Sequence, residues 1–357
     1  MKRPLGAQIS HMLKDRGVDV IFGIPGVHNI ELYRGIEAAG ITHVLARHEQ
    51  GAGFMADGYA RASGRPGVAY VITGPGLCNI MTPMGQAYSD SVPVLVISSC
   101  LDEAAAVRGQ LHQMPDQRGA AACVCDWSEE ARSAEAAYGL IDRALVEFAA
   151  GRARPKHIQV PIPLLGQMVA AAPQVPPGQG AVRGRTAPGD MRAIAGELAR
   201  ARKPLFILGG GCKSNEWRQI LTQLGAACFT TYAGRGLPGA NYPLDFGSML
   251  PRPGSAEVIA SADLVIAVGA ELGEGERPAG GPRLGRRLQR GQHQLRRGDH
   301  RASSFRIARA IPSQNHSRRA TCHPREKGDG KINSRKARTK SLHCFRLAIV
   351  VRRRSSQ

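Results

Sequence analysis

Four short segments carry side chains able to do chemistry. In Arg47-His48-Glu49-Gln50-Gly51-Ala52-Gly53-Phe54-Met55-Ala56-Asp57-Gly58-Tyr59-Ala60-Arg61, a short apolar strand runs into a helix of small residues, with Glu49 at the seam. A carboxyl at the C-terminal end of a parallel strand lies where α/β sheets place ligands. Apolar surroundings favour a protonated carboxyl, which can act as an acid. Taken alone, such a glutamate is first a helix-start residue favoured by the macrodipole. Thr73-Gly74-Pro75-Gly76 follows a strand, and its glycines let the backbone approach a flat ligand; alone it reads as a plain βα turn. Phe22-Gly23-Ile24-Pro25-Gly26 likewise reads first as a strand-ending turn, with Pro25 fixing φ. His28 follows it, and His112 lies in the polar loop Leu111-His112-Gln113-Met114-Pro115-Asp116-Gln117. Histidine suits proton transfer near neutral pH, but each of these equally serves as a cap, surface or loop residue.

The elements that must position these groups alternate between helical patterns and short β-branched runs, the signature of βαβ units and a parallel sheet. Helices are expected over 8–16, 29–39, 50–61 and 77–89, and strands over 18–22, 44–46, 68–72 and 94–97. The first domain spans 1–166, its last strand and exit lying near 158–163. A linker rich in Pro, Gly and Ala fills 167–189. A partial Rossmann-like domain follows over 190–274, with a helix at 191–202, strands at 205–208 and 264–268, and Gly209-Gly210-Gly211 as a weak form of phosphate cradle. The fold class is α/β: a parallel sheet of about six strands flanked by helices, a partial Rossmann-like domain, and a disordered basic tail.

Together the motifs resemble the acetolactate synthase-like family of thiamine-diphosphate enzymes. Phe22 to Gly26, Arg47-His48-Glu49-Gln50 with Gly58-Tyr59-Ala60-Arg61, and Thr73-Gly74-Pro75-Gly76 with Asn79 match in order and spacing. The resemblance implies that Glu49 hydrogen-bonds the N1′ nitrogen of the cofactor's aminopyrimidine, whose exocyclic nitrogen then takes the C2 proton of the thiazolium ring. The activated carbon adds to a 2-oxoacid and carbon dioxide leaves. Release then gives an aldehyde, and attack on a second carbonyl gives carboligation. By the same resemblance Thr73, Pro75 and Asn79 border the aminopyrimidine, and Gly26 faces the reacting end. His28 occupies a position where some family decarboxylases and lyases carry histidine. Gly26-Val27-His28 with Glu31-Leu32-Tyr33-Arg34-Gly35 is most similar to the branch that decarboxylates 5-guanidino-2-oxopentanoate. His112 stands where synthases carry the glutamine of a Phe-Gln-Glu motif, which points away from a standard acetolactate synthase. The resemblance makes Glu49, His28 and His112 the catalytic candidates.

In that family the diphosphate is held through magnesium by a further C-terminal domain, and some members bind FAD in the middle domain without flavin redox chemistry. The diphosphate domain is expected to be missing from this sequence. Gly328-Asp329-Gly330 lacks the paired asparagines of the family's magnesium motif. Cys123-Val124-Cys125 and Cys322-His323 with Cys344 fail zinc spacing, so no metal ligand is assigned. The net charge of +20 sits in the tail: residues 275–357 hold 23 Lys/Arg against 4 Asp/Glu, and the rest holds 25 against 24. A reading frame disrupted near Glu274 explains this change, and a basic arm that attracts nucleic acid without sequence preference is the alternative. The implied partners are a 2-oxoacid substrate and further copies in a homodimer or homotetramer, with no membrane. Scattered cysteines and no recognisable leader place the chain in the cytoplasm. The competing function is a non-catalytic remnant or binding module.

Overall fold

Strands that read as unbroken apolar runs require a sheet covered on both faces. The computed structural model, which describes residues 1–102, 109–174, 188–212, 216–273, 305–310 and 348–353, contains one. The chain divides into two units, Met1–Gly184 and Arg185–Gln357.

In the first unit the elements run β1 Arg3–Pro4, α1 Leu5–Asp15, β2 Val20–Gly23, α2 Ile30–Arg34, β3 Thr42–Leu45, α3 Glu49–Ser63, β4 Gly67–Val71 and α4 Pro75–Asp90. They continue with β5 Val94–Cys100, α5 Gln117–Ala122, β6 Trp127–Glu130, α6 Ala134–Ala150, β7 Lys156–Pro161, α7 Ile162–Leu165 and β8 Met168–Val169. Six strands form a parallel sheet in the order β3-β2-β4-β5-β7-β6. Alternation along each strand divides the core. Val68 and Tyr70 of β4 and Leu95 and Ile97 of β5 pack with Leu5, Ile9 and Met12 of α1, Leu32 of α2, and Ile141 and Phe148 of α6. Ala69, Val71, Val94 and Val96 face the other way, onto Ala52, Ala56 and Ala60 of α3 and Leu77, Ile80 and Met84 of α4. Each large side chain buried this way contributes roughly 1.5–3 kcal/mol.

The expected strands and helices are present, with shifted ends. Helix α1 begins at Leu5, directly after Pro4, because Leu5 belongs to the same buried face as Ile9 and Met12. The helix expected over 29–39 is shorter. Its α-helical part stops at Arg34, since Gly35 lies against the Ala7 backbone and the chain continues in turns to Gly40. Within the expected linker, Met168–Val169 pairs antiparallel with Arg3–Pro4, while 175–187 lie outside the described residues. Helix α6 was not anticipated, although Ser133 caps it and Ala137, Ile141, Ala144 and Phe148 recur at helical spacing.

The second unit contains α8 Pro188–Arg200, β9 Pro204–Leu208, α9 Trp217–Leu224, β10 Ala227–Thr230, α10 Ser255–Ser261 and β11 Leu264–Val268. Strands β10, β9 and β11 are parallel neighbours. Ile194, Leu198, Trp217 and Ile220 cover one face and Ile259 the other, giving the expected helix-flanked α/β form. Two stretches of the arginine-rich tail, β12 Phe305–Ala310 and β13 Ala348–Arg353, extend this sheet, β13 pairing antiparallel with β11. The tail was expected to be largely disordered, and most of it lies outside the described residues; Ala348-Ile349-Val350-Val351 is β-favouring locally, within a stretch whose overall composition hides it. Gly328-Asp329-Gly330, Cys322-His323 and Cys344 lie outside the described residues.

Candidate cofactor site

Parallel strands in one sheet end at one edge, so the turns after β2, β3 and β4 gather there whatever their separation in sequence. They carry Gly26 and His28, Glu49, and Thr73 to Gly76 respectively, and the connection from β5 to β6 brings His112.

Glu49 is the first residue of α3 and only 8% exposed. The helix is started by His48, whose Nδ1 accepts from the Gln50 amide at 3.1 Å. Asn79, in the second turn of α4, donates from Nδ2 to Oε2 of Glu49 at 2.9 Å. The other carboxyl oxygen lies beside Gly76: a Cβ there would stand 3.4 Å from Oε1 and 2.7 Å from Cγ1 of Ile72. A side chain at 76 would therefore collide with Ile72 beside Oε1, and the same Ile72 packs against Gly26. Gly26 is itself pinned, its amide donating to Oδ1 of Asn29 at 2.7 Å. Tyr33 underlies this turn, with its hydroxyl donating to the Tyr70 carbonyl at 3.1 Å. Burial, reinforced by Tyr70 and Glu49, holds the Tyr33 phenol far above its ordinary range.

The structure brings the two candidate histidines together. The rings of His28 and His112 meet edge to face, 5.3 Å between centroids and 80° between planes. Burial, and secondarily the neighbouring His112, lowers the pKa of His28 from its usual value, so the ring is neutral near physiological pH and able to accept a proton. Its Nδ1 is buried with no hydrogen-bond partner among the described residues. His112 has φ of 61°, and its carbonyl lies against Gly74, whose own φ is 67°. A side chain at 74 would collide with that carbonyl. The turn thus joins both clusters, Gly74 touching His112 and Gly76 lying beside Glu49.

Other expected residues fall differently. Thr73 is 2% exposed and turns its hydroxyl inward, donating to Ser99 Oγ at 3.0 Å, so its side chain braces the turn. Pro75 is exposed at the first position of α4, where its fixed φ suits a helix start. Sequence reasoning missed Asn29, Tyr33, Ile72 and Gln117, which act through contacts that no local pattern marks. The sulfurs of Cys123 and Cys125 each donate to backbone carbonyls, and burial pushes the Cys125 thiol up to about 12. No cluster of three or more His, Cys, Asp or Glu suited to a metal occurs among the described residues. The amides of Gly209 and Gly211 are engaged by the Val268 and Gly269 carbonyls at 2.8 and 3.0 Å, leaving neither directed at a phosphate. No helix among the described residues is long and apolar enough to cross a membrane.

Residues 3–120, which include Gly26, His28, Glu49, Thr73 to Gly76, Asn79 and His112, match the family described as thiamine pyrophosphate enzyme, N-terminal TPP binding domain. Residues 191–283 match the central domain of the same enzymes. The chain belongs to the thiamine pyrophosphate enzymes. Among curated relatives, it is 47% identical over 277 residues to the probable 2-ketoarginine decarboxylase AruI of Pseudomonas aeruginosa, covering 75% of this chain and 49% of that one. It is 32% identical over 290 residues to acetolactate synthase of Arthrospira platensis, covering 76% and 50%. It is also 32% identical over 279 residues to the large subunit of acetolactate synthase isozyme 2 of Escherichia coli, covering 75% and 50%. The chain spans about half the length of these curated relatives.

Proposed function

We propose that this chain supplies the aminopyrimidine-binding site of a thiamine-diphosphate-dependent decarboxylase or carboligase acting on a 2-oxoacid. The observation that carries the reading is the Glu49 carboxyl, buried at the strand edge, with Oε2 held by Asn79 at 2.9 Å and Oε1 beside Gly76. That donor set fits a flat ring with a basic nitrogen. Thiamine diphosphate, when bound, supplies a carbon nucleophile that also holds the electrons released by decarboxylation. Glu49 then holds a proton at the ring nitrogen, Asn79 orients the carboxyl, and Pro75 and Gly76 border the ring. His28 and His112 serve the substrate end, where an imidazole takes a proton and its protonated form returns it.

The likeness to AruI, 47% over 277 residues, supports 5-guanidino-2-oxopentanoate as the first substrate to try. Magnesium would accompany the diphosphate. FAD is disfavoured in the second unit, because the amides of Gly209 and Gly211 are already engaged by backbone carbonyls. Assembly into homodimers or homotetramers is supported by one face of α3, where Phe54 and Met55 are exposed between Gly51 and Gly58. Cys78, Cys123, Cys125, Cys212 and Cys228 carry free thiols, which suits the cytoplasm.

Carbon dioxide release from 5-guanidino-2-oxopentanoate and from pyruvate, with thiamine diphosphate and magnesium added, tests the reading. Release that requires the cofactor and disappears in Glu49→Gln is expected. A folded chain that neither turns over nor binds the cofactor in a Glu49-dependent way would refute it.

A further inference from the structure

We propose that Gln117 is a positioning residue that ties the His112 loop to the turn opening α4, and so sets both halves of the site at once. This rests on the reading of that edge as the cofactor site. Gln117 is the first residue of α5 and 7% exposed. Its Oε1 accepts from the Gly74 amide at 2.7 Å. Its Nε2 donates to the Ser99 carbonyl at 2.9 Å and to Ser98 Oγ and Gln159 Oε1, both at 3.2 Å. The partners fix the amide's orientation, because one end faces an N–H and the other a carbonyl; a flipped amide would oppose donor to donor. Every polar atom of the side chain is therefore engaged, and only one of its contacts reaches the site.

That contact matters because of what lies on either side of it. Gly74 precedes Pro75 and α4, and α4 delivers Asn79 to Glu49. Upstream of Gln117, Asp116 caps α5 by accepting from the Gly119 amide at 2.7 Å, and Gln113 closes the loop by accepting from the Gly109 amide at 2.8 Å. The His112 carbonyl then rests against Gly74. Loop and turn thus meet twice, through His112 and through Gln117. Removing the second contact leaves the buried Gly74 amide without an acceptor, and the turn must shift to find one.

The test uses the whole chain in three forms besides wild type: Gln117→Leu, Gln117→Glu, and Gln159→Leu as a control within the same network that does not touch Gly74. Nuclear magnetic resonance of the ligand-free protein follows the Asn79 side-chain amide and the His112 ring, and titration calorimetry follows thiamine diphosphate with magnesium. In Gln117→Leu both signals should move, and affinity should fall by about tenfold or more at unchanged circular dichroism. Gln159→Leu should leave both near wild type. If Gln117→Leu does not fold, Gln117→Glu, which matches the native side chain in size and keeps an oxygen for Gly74, should show the same signals displaced to a smaller extent. Unmoved signals overturn the proposal whatever the affinity does, and equal movement in Gln159→Leu overturns it too. Moved signals in a chain whose wild type binds no cofactor leave the coupling standing and overturn the functional reading instead.

Discussion

Replacing His157 with glutamine should flatten the pH dependence of the first unit's stability. His157 on β7 is fully buried between two hydroxyls, with Nε2 2.8 Å from Ser98 Oγ and Nδ1 2.7 Å from Ser128 Oγ. Burial alone pulls its pKa down from 6.5 to about 3. A folded-state value below the unfolded one means that the unfolded chain binds the proton first as pH falls. Stability from this group is therefore complete above 6.5 and is lost progressively between 6.5 and about 3. Each pH unit in that window removes about 1.4 kcal/mol, so the loss between neutrality and about pH 5 is roughly 2 kcal/mol. The variant gives up some baseline stability, because Ser98 and Ser128 must re-pair, but its slope should lack that contribution. Urea unfolding followed by Trp127 emission in a Trp217→Phe background measures both slopes. His11 and His28, also lowered by burial, add the same sign in both proteins and cancel in the difference. Parallel slopes for the two proteins would refute the assignment of His157 as a neutral, buried bridge.

Removing the carboxamide in Asn79→Ala frees Glu49 from its bond at 2.9 Å and should weaken thiamine diphosphate binding by about tenfold with little loss of stability, read by calorimetry and thermal melting. Gly74→Ala combines a φ of 67° with a collision against the His112 carbonyl, so urea unfolding should show a loss of roughly 2–4 kcal/mol. Alkylation followed by mass spectrometry should label exposed Cys78 and Cys123 at mildly alkaline pH and leave Cys125 unmodified, since burial holds that thiol near 12.

Legibility in the sequence followed the range of the interactions. Strand β11 stands where its apolar run places it, and the seam at Glu49 was visible because strand, charge and small-residue helix are consecutive. Helix α6 and strand β10 were not read, the first because alanines dilute its apolar stripe, the second because Ala227-Cys228-Phe229-Thr230 is too short to show a period. Within the site, Asn79 could be named only through its family resemblance. Gln117 could not be named at all, since its partner Gly74 is 43 residues away and a single glutamine before a short helix has no distinguishing pattern.

The attachment of His112 and Glu49 to different supports has a bearing on how such a site changes over time. His112 rides on a connection closed on itself by Gln113 and anchored by Asp116 and Gln117, whereas Glu49 and Asn79 are carried by helices packed on the sheet. Positions 111, 112, 114 and 115 can thus be exchanged for residues of different size or polarity while Gln113, Asp116 and Gln117 hold the connection, altering which side chain meets His28. A library confined to those four positions would vary the side chains beside His28 while Glu49 and Asn79 keep their supports and the contact between Gln117 and Gly74 stays in place.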